Sequence, residues 1–133
     1  MKIKRQKLPK TRNAGTMTEA EYFQQIRYAL RKQFRWWKPM IQALKKAERP
    51  SQSKNKRLKY EYQCAVCKRW YPRTKVQIDH KIPCGELRKY EDIVPFIKNL
   101  TKENSNSYQI LCKKDHLVKT KKEKQQRKQN GKK

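Results

Sequence analysis

Two segments decide how this chain is read: Lys75-Val76-Gln77-Ile78-Asp79-His80 and Tyr108-Gln109-Ile110-Leu111-Cys112-Lys113-Lys114-Asp115-His116. In the first, Val76 and Ile78 alternate with Lys75 and Gln77, the period of a half-buried strand ending at Asp79-His80. In the second, Tyr108 to Leu111 reads as a short strand, and the residues from Asp115 onward read as a helix. The pair carries both histidines of the chain, with cysteines on either side. Strand, strand and helix in this order predict a small α+β fold.

Working outward, Tyr60 to Gln63 forms a further short strand that runs into Cys64-Ala65-Val66-Cys67, a tight turn. This spacing lets two thiolates reach one tetrahedral ion at roughly 2.3 Å. Two ordinary buried thiols fit poorly, because polar residues surround the pair, and a redox pair would want a thioredoxin-like context. A second half-site is therefore expected. Cys112 opens the last helix with Asp115 three residues on, and a carboxylate oxygen is an acceptable zinc ligand. The favoured set is Cys64, Cys67, Cys112 and Asp115, with Cys84 as the competing fourth ligand.

Asp79 and His80 are neighbours at a strand end, so their side chains point to opposite faces and can divide labour. An imidazole, with a free pKa of about 6.5, suits proton abstraction from water near neutrality. A carboxylate suits a hard divalent cation. His116, early in the last helix, could complete that metal site.

The rest of the chain is basic. Its 133 residues hold 37 Lys and Arg against 11 Asp and Glu, a net charge of +26. Only 35% are hydrophobic, and the mean hydropathy is -1.28. That bounds the chain to a small core for which a metal is a plausible brace. Any one basic run reads as a solvated face, but an excess that extends from end to end points to nucleic acid rather than a membrane surface. No apolar run approaches membrane-spanning length, and the N-terminus lacks the apolar core of a signal peptide. An intracellular setting is expected, where four cysteines point to metal rather than disulfides.

Residues 1–57 read as a basic arm, an amphipathic helical segment and a linker, 58–120 as the chemical domain, and 121–133 as a basic tail. Met1 to Gly15 has the composition of a disordered arm. Thr18 and Glu21 can form a capping box. Phe23, Ile26, Leu30, Phe34, Trp37, Ile41 and Leu44 recur at helical steps, and Pro39 either kinks that helix or opens a second one. Arg27, Arg31, Lys32, Arg35 and Lys38 lie on the opposite face, and of these Arg27, Arg31, Arg35 and Lys38 are candidate DNA contacts. Trp36 lies off the stripe, the better placed of two tryptophans to stack on a base. Ser51 to Arg57 reads as linker, and Glu86 to Leu100 is amphipathic around Pro95.

Taken together, Cys64-x-x-Cys67, Ile78-Asp79-His80-Lys81-Ile82-Pro83-Cys84-Gly85 and Gln109-Ile110-Leu111-Cys112-Lys113-Lys114-Asp115-His116-Leu117-Val118-Lys119-Thr120 resemble the HNH endonuclease family. The likeness is greatest to the small free-standing, homing-type HNH proteins of bacteriophages, and it covers Tyr60 to Thr120. It implies a ββα-metal (HNH, His-Me finger) core with a zinc knuckle, preceded by a helical basic segment. It implies His80 as general base, Asp79 and His116 as ligands of a catalytic Mg²⁺ or Mn²⁺, and a structural Zn²⁺. Lys119 would join Arg27, Arg31, Arg35 and Lys38 against DNA. Two positions depart from the family pattern: Asp115 replaces a usual Cys, and Ser107 falls where the central Asn belongs, with Asn106 one place earlier.

The function expected from this reading is hydrolysis of phosphodiesters in DNA, most readily double-stranded, in the cytoplasm of a phage-infected bacterium. Other phage proteins are possible partners. Two alternatives compete with it. One is a non-catalytic zinc module that binds nucleic acid, and the other is a protein-binding subunit with a vestigial core.

Overall fold

Thr18 starts the first long helix as its spacing to Glu21 predicts. Its hydroxyl accepts from the Glu21 amide at 3.2 Å and donates to the Glu21 carboxylate at 3.1 Å. A computed structural model describes residues 7–130. In chain order the strands are β1 (Lys10–Arg12), β2 (Met17–Thr18), β3 (Glu48–Pro50), β4 (Tyr60–Gln63), β5 (Trp70–Tyr71), β6 (Val76–His80) and β7 (Tyr108–Cys112). The helices are α1 (Glu19–Gln33), α2 (Lys38–Lys46), α3 (Ile93–Leu100) and α4 (Lys113–Asn130). With its antiparallel sheets β1-β2, β3-β4-β5 and β6-β7, the fold class is α+β. Among the described residues, no helix is long and apolar enough to cross a membrane.

The chain divides into two compact units, one of residues up to Arg35 with Cys84–Leu100, the other of Trp36–Pro83 with the residues from Thr101 on. In the first, Phe23 of α1 packs with Cys84, Leu87, Phe96 and Leu100, flanked by Ile26, Leu30 and Phe34. Pro95 sits in the first turn of α3, where its missing N–H costs nothing, so the helix begins at Ile93 and runs on to Leu100. The arm expected over Met1 to Gly15 is corrected in part. Met1 to Gln6 lie outside the described residues, but β1 pairs with β2 in a hairpin. Asn13, Ala14 and Gly15 make its turn at φ of 52°, 56° and 78°. Arg12 holds the hairpin down through two bonds to Glu19, at 3.0 and 3.1 Å, and lies 4.5 Å over the Tyr22 ring. Composition counts Arg12 as one more solvated charge, and its aromatic and acidic partners are what order the strand.

In the second unit, Pro39 opens α2 rather than kinking one long helix. The apolar stripe accordingly splits, and Leu44 joins Tyr62, Val76 and Ile110 with Ala47, Tyr71 and Ile78. The polar stretch Ser51 to Arg57 lies in the loop that joins β3 to β4, and Pro50 sits in an edge strand, where proline is tolerated. The centre of the unit is β6-β7, paired from Val76↔Cys112 to His80↔Tyr108. Its Val76, Ile78 and Ile110 face meets Tyr62 and Leu44, while Asp79 and Gln109 alternate to the face that meets α4. α4 starts at Lys113, directly after β7, and continues to Asn130 through residues whose composition reads as a tail.

Candidate metal centre and acidic site

The Cys64–Cys67 turn follows β4, and the Cys112–Asp115 pair spans the junction of β7 with α4. Backbone bonds bring the two half-sites together: the Ala65 amide donates to the Ile110 carbonyl at 2.8 Å, and the Lys68 amide closes the turn onto the Cys64 carbonyl at 3.0 Å. The three sulfurs and a carboxylate oxygen of Asp115 lie within 4.8 Å of one another, a group that could hold a metal ion. A tetrahedral ion with metal–sulfur bonds of about 2.3 Å needs donors about 3.8 Å apart, so only a small contraction is required. Cys64 is fully buried and Cys112 is 4% exposed, whereas Cys67 faces solvent.

The same carboxylate oxygen of Asp115 accepts from the Cys64 and Cys112 thiols at 3.1 and 3.2 Å. These bonds, Cys64 first, hold Asp115 below its ordinary pKa. Burial pushes the Cys64 thiol up. Cys67 is moved down, chiefly by its 3.4 Å contact with the Tyr71 hydroxyl, and Tyr71 is raised by the same contact. In the sequence Tyr71 carries only a faint signal, a hydroxyl four residues beyond Cys67. Cys84, the competing ligand, is buried with Phe23, Leu87, Phe96 and Leu100 and is not one of the four clustered residues. Apolar neighbours, rather than ligand spacing, determine its place.

At the other end of the hairpin, Asp79 is 8% exposed. Its Oδ2 accepts from Gln109 Nε2 at 2.9 Å, and the same oxygen lies 2.9 Å from the Lys119 ammonium. Oδ1 lies 3.7 Å from His116 Nε2. Lys119 also donates to the His80 carbonyl at 2.8 Å and pairs with Glu123 at 2.6 Å. Burial lowers the Lys119 pKa, but the bonds to Glu123 and Asp79 outweigh it and the net shift is upward. One helical turn separates His116 from Lys119 and another separates Lys119 from Glu123, so α4 presents all three along one side.

Asp79 and His116 are thus brought together. Ligand bonds of about 2.1 Å put two donors of one ion roughly 3.0 to 4.2 Å apart, and the 3.7 Å between Oδ1 and Nε2 lies in that range. His80 follows the alternation to the other face of the hairpin, its ring 5.0 Å from that of its cross-strand partner Tyr108. Lys119, expected to touch DNA, has its ammonium on Asp79. Gln109 and Glu123 were missed. Gln109 could have been found from the hairpin register that sets it opposite Asp79. Asn106 is exposed, while the Ser107 carbonyl accepts from the Lys81 amide at 3.0 Å.

Of the candidate DNA contacts, Arg31, Arg35 and Lys38 are exposed and Arg27 is partly buried. The Arg31 guanidinium lies 5.5 Å from the Phe96 ring centroid. Trp36 is 67% exposed, whereas Trp37 donates its indole N–H to the Lys102 carbonyl at 3.0 Å. The chain matches no protein-family model, no curated protein and no solved structure.

Proposed function

We propose that this chain is a metal-dependent endonuclease that hydrolyses phosphodiester bonds in DNA, with a ββα-metal core of the HNH type formed by β6, β7 and α4. The observation that carries the reading is the meeting of Asp79, His116, Gln109 and Lys119 where an antiparallel hairpin faces the helix that follows it. The basic balance of the chain, +26 overall, supplies the attraction to a phosphate backbone.

Asp79 and His116 would hold a divalent ion, Mg²⁺ or Mn²⁺, whose chemistry there is to polarise the scissile phosphate and stabilise the departing oxygen. His80, the last residue of β6, would take the proton from the attacking water, and the ring of Tyr108 limits its freedom to turn. Gln109 orients the Asp79 carboxylate through its amide. Lys119 fixes the end of β6 through the His80 carbonyl and balances the charge of Asp79. Zn²⁺ on Cys64, Cys67, Cys112 and Asp115 would brace the start of α4, and with it the position of His116.

One observation favours a second reading, a non-catalytic zinc module that binds nucleic acid: Lys119 already neutralises Asp79. Cleavage of supercoiled plasmid with added Mg²⁺ or Mn²⁺ separates the two. Wild type should nick or linearise the plasmid, and His80→Ala should lose about 10²–10⁴-fold in rate while DNA binding is retained. Absent or equal cleavage by both proteins, with binding that weakens steeply in salt, would establish the module instead.

A further inference from the structure

Within the second unit a groove of about 330 Å³ opens between α2, the Cys64 turn and β7. Three lysines line it, Lys46, Lys68 and Lys81, and no Asp or Glu does among the described residues. Lys46 is steered by its bond to the Ser105 hydroxyl at 2.6 Å. Ala43, Ala47 and Ala65 line the same groove, and their small side chains leave space beside Tyr108 and Ile110 that larger residues would fill. Gln63 and Asn106 add amide groups able both to donate and to accept. A concave site with one charge sign, an apolar lining and a few amides suits a ligand that combines an anion with a flat, hydrogen-bonding ring. The volume is that of one nucleotide rather than of a duplex.

We infer that this groove seats a single nucleotide of a nucleic-acid strand, its phosphate toward Lys46, Lys68 and Lys81 and its base against the alanines. The inference rests on the nucleic-acid part of the function proposed above and not on hydrolysis. Tyr108 lines the groove and also packs on His80, so a seated nucleotide lies beside the residue proposed to act as base. The groove thereby positions a strand relative to the hairpin, a task distinct from the general attraction of the basic surface.

The test is a titration of the full-length protein followed by amide chemical shifts, with thymidine 5′-monophosphate, thymidine and inorganic phosphate as separate probes. The monophosphate should shift Ala65, Lys68, Lys81 and Asn106, and bind about tenfold more tightly than inorganic phosphate. Lys46→Glu with Lys81→Glu should weaken it at least about tenfold. The charge-matched control Lys121→Glu with Lys122→Glu, on exposed positions of α4, should change it far less. Equal affinity for inorganic phosphate would overturn the nucleotide assignment, and equal affinity for thymidine would overturn the phosphate anchor. Shifts located elsewhere, or equal loss in both double variants, would overturn the groove itself. Wild-type protein that gives these shifts but does not cleave plasmid DNA would disprove hydrolysis and leave the groove standing, so the two failures are distinguishable.

Discussion

At the Cys112 end of the β6-β7 hairpin, three sulfurs and a carboxylate crowd within 4.8 Å, while at the Asp79 end one buried carboxylate meets Lys119, Gln109 and His116. Both ends concentrate acidic groups on a sheet only five residues long. They differ in where the compensating charge comes from. Ionised together, three thiolates and Asp115 need a multivalent cation within reach of all four. Asp79 needs a single positive charge, and the chain supplies it from one turn beyond His116. The first end is therefore a cluster that could hold a metal ion, to which folding would then be coupled, whereas the second has its counter-charge within the chain.

The largest expected effect tests the first half of that contrast. Removing metal with a chelator, or replacing Cys112 by Ser, should abolish the cooperative melt of the second unit, because such sites contribute on the order of 10 kcal/mol to folding. Circular dichroism melts beside measured zinc stoichiometry read the outcome. An unchanged melt would make the two ends alike, with the thiols satisfied by their own bonds to Asp115.

Next comes Lys119→Met. It strips the cation from a carboxylate that is 8% exposed, and breaking a buried pair by removing one partner costs about 3–5 kcal/mol. The denaturant midpoint should fall accordingly and should recover in part when Mn²⁺ is added. Loss without recovery would mean that Asp79 serves the fold and binds no ion, and the second reading would gain.

These two ends were unequally legible in the sequence. Cys64, Cys67, Cys112 and Asp115 are short-range spacings within two turns, and local geometry nearly dictates that each pair converges. The strands of the hairpin were legible for a similar reason, since Val76 and Ile78 alternate cleanly. Lys119 and Glu123 were not, because a lysine in a chain of 37 Lys and Arg carries no mark of the one partner it finds. Arg12 escaped notice on the same ground. The ordering of β1 depends on Tyr22 and Glu19, which only the fold brings under it. Pro39 was ambiguous because a kink and a helix start share one residue pattern, and packing of Leu44 with Tyr62 decides for the second helix.

A smaller effect separates the Lys119 contribution from that of its surroundings at high pH. Tyr62 is buried and donates to Glu48 at 2.8 Å; burial first, then that bond, push its pKa up to about 12. A raised folded value means stability that is complete below the unfolded pKa of 10.0 and is lost as pH rises through about 12. Tyr62→Phe has no phenol to ionise and should not show this loss, so stability changes between pH 10 and about 12 in favour of the variant. The alkaline loss that persists in Tyr62→Phe then includes Lys119, whose raised pKa has the same sign and sets in above its ordinary 10.5. If Lys119→Met leaves the persisting loss untouched, the lysine does not balance Asp79 in solution.

The smallest effect concerns Lys68, which closes the cysteine turn at a φ of 63°. A left-handed backbone costs a residue with a Cβ about 1–2 kcal/mol, and glycine gives back roughly half of that through its greater freedom when unfolded. Lys68→Gly should therefore stabilise the metal-loaded protein by about 0.5–1 kcal/mol, read as a rise in denaturant midpoint. The same substitution removes one of the three cations of the groove, so nucleotide binding should weaken while the fold improves. Opposed changes in the two readouts would mean that a charge is kept at a strained position for the ligand. A loss of stability would mean that the Lys68 side chain supports the turn itself, and the groove would then have two cations to anchor a phosphate.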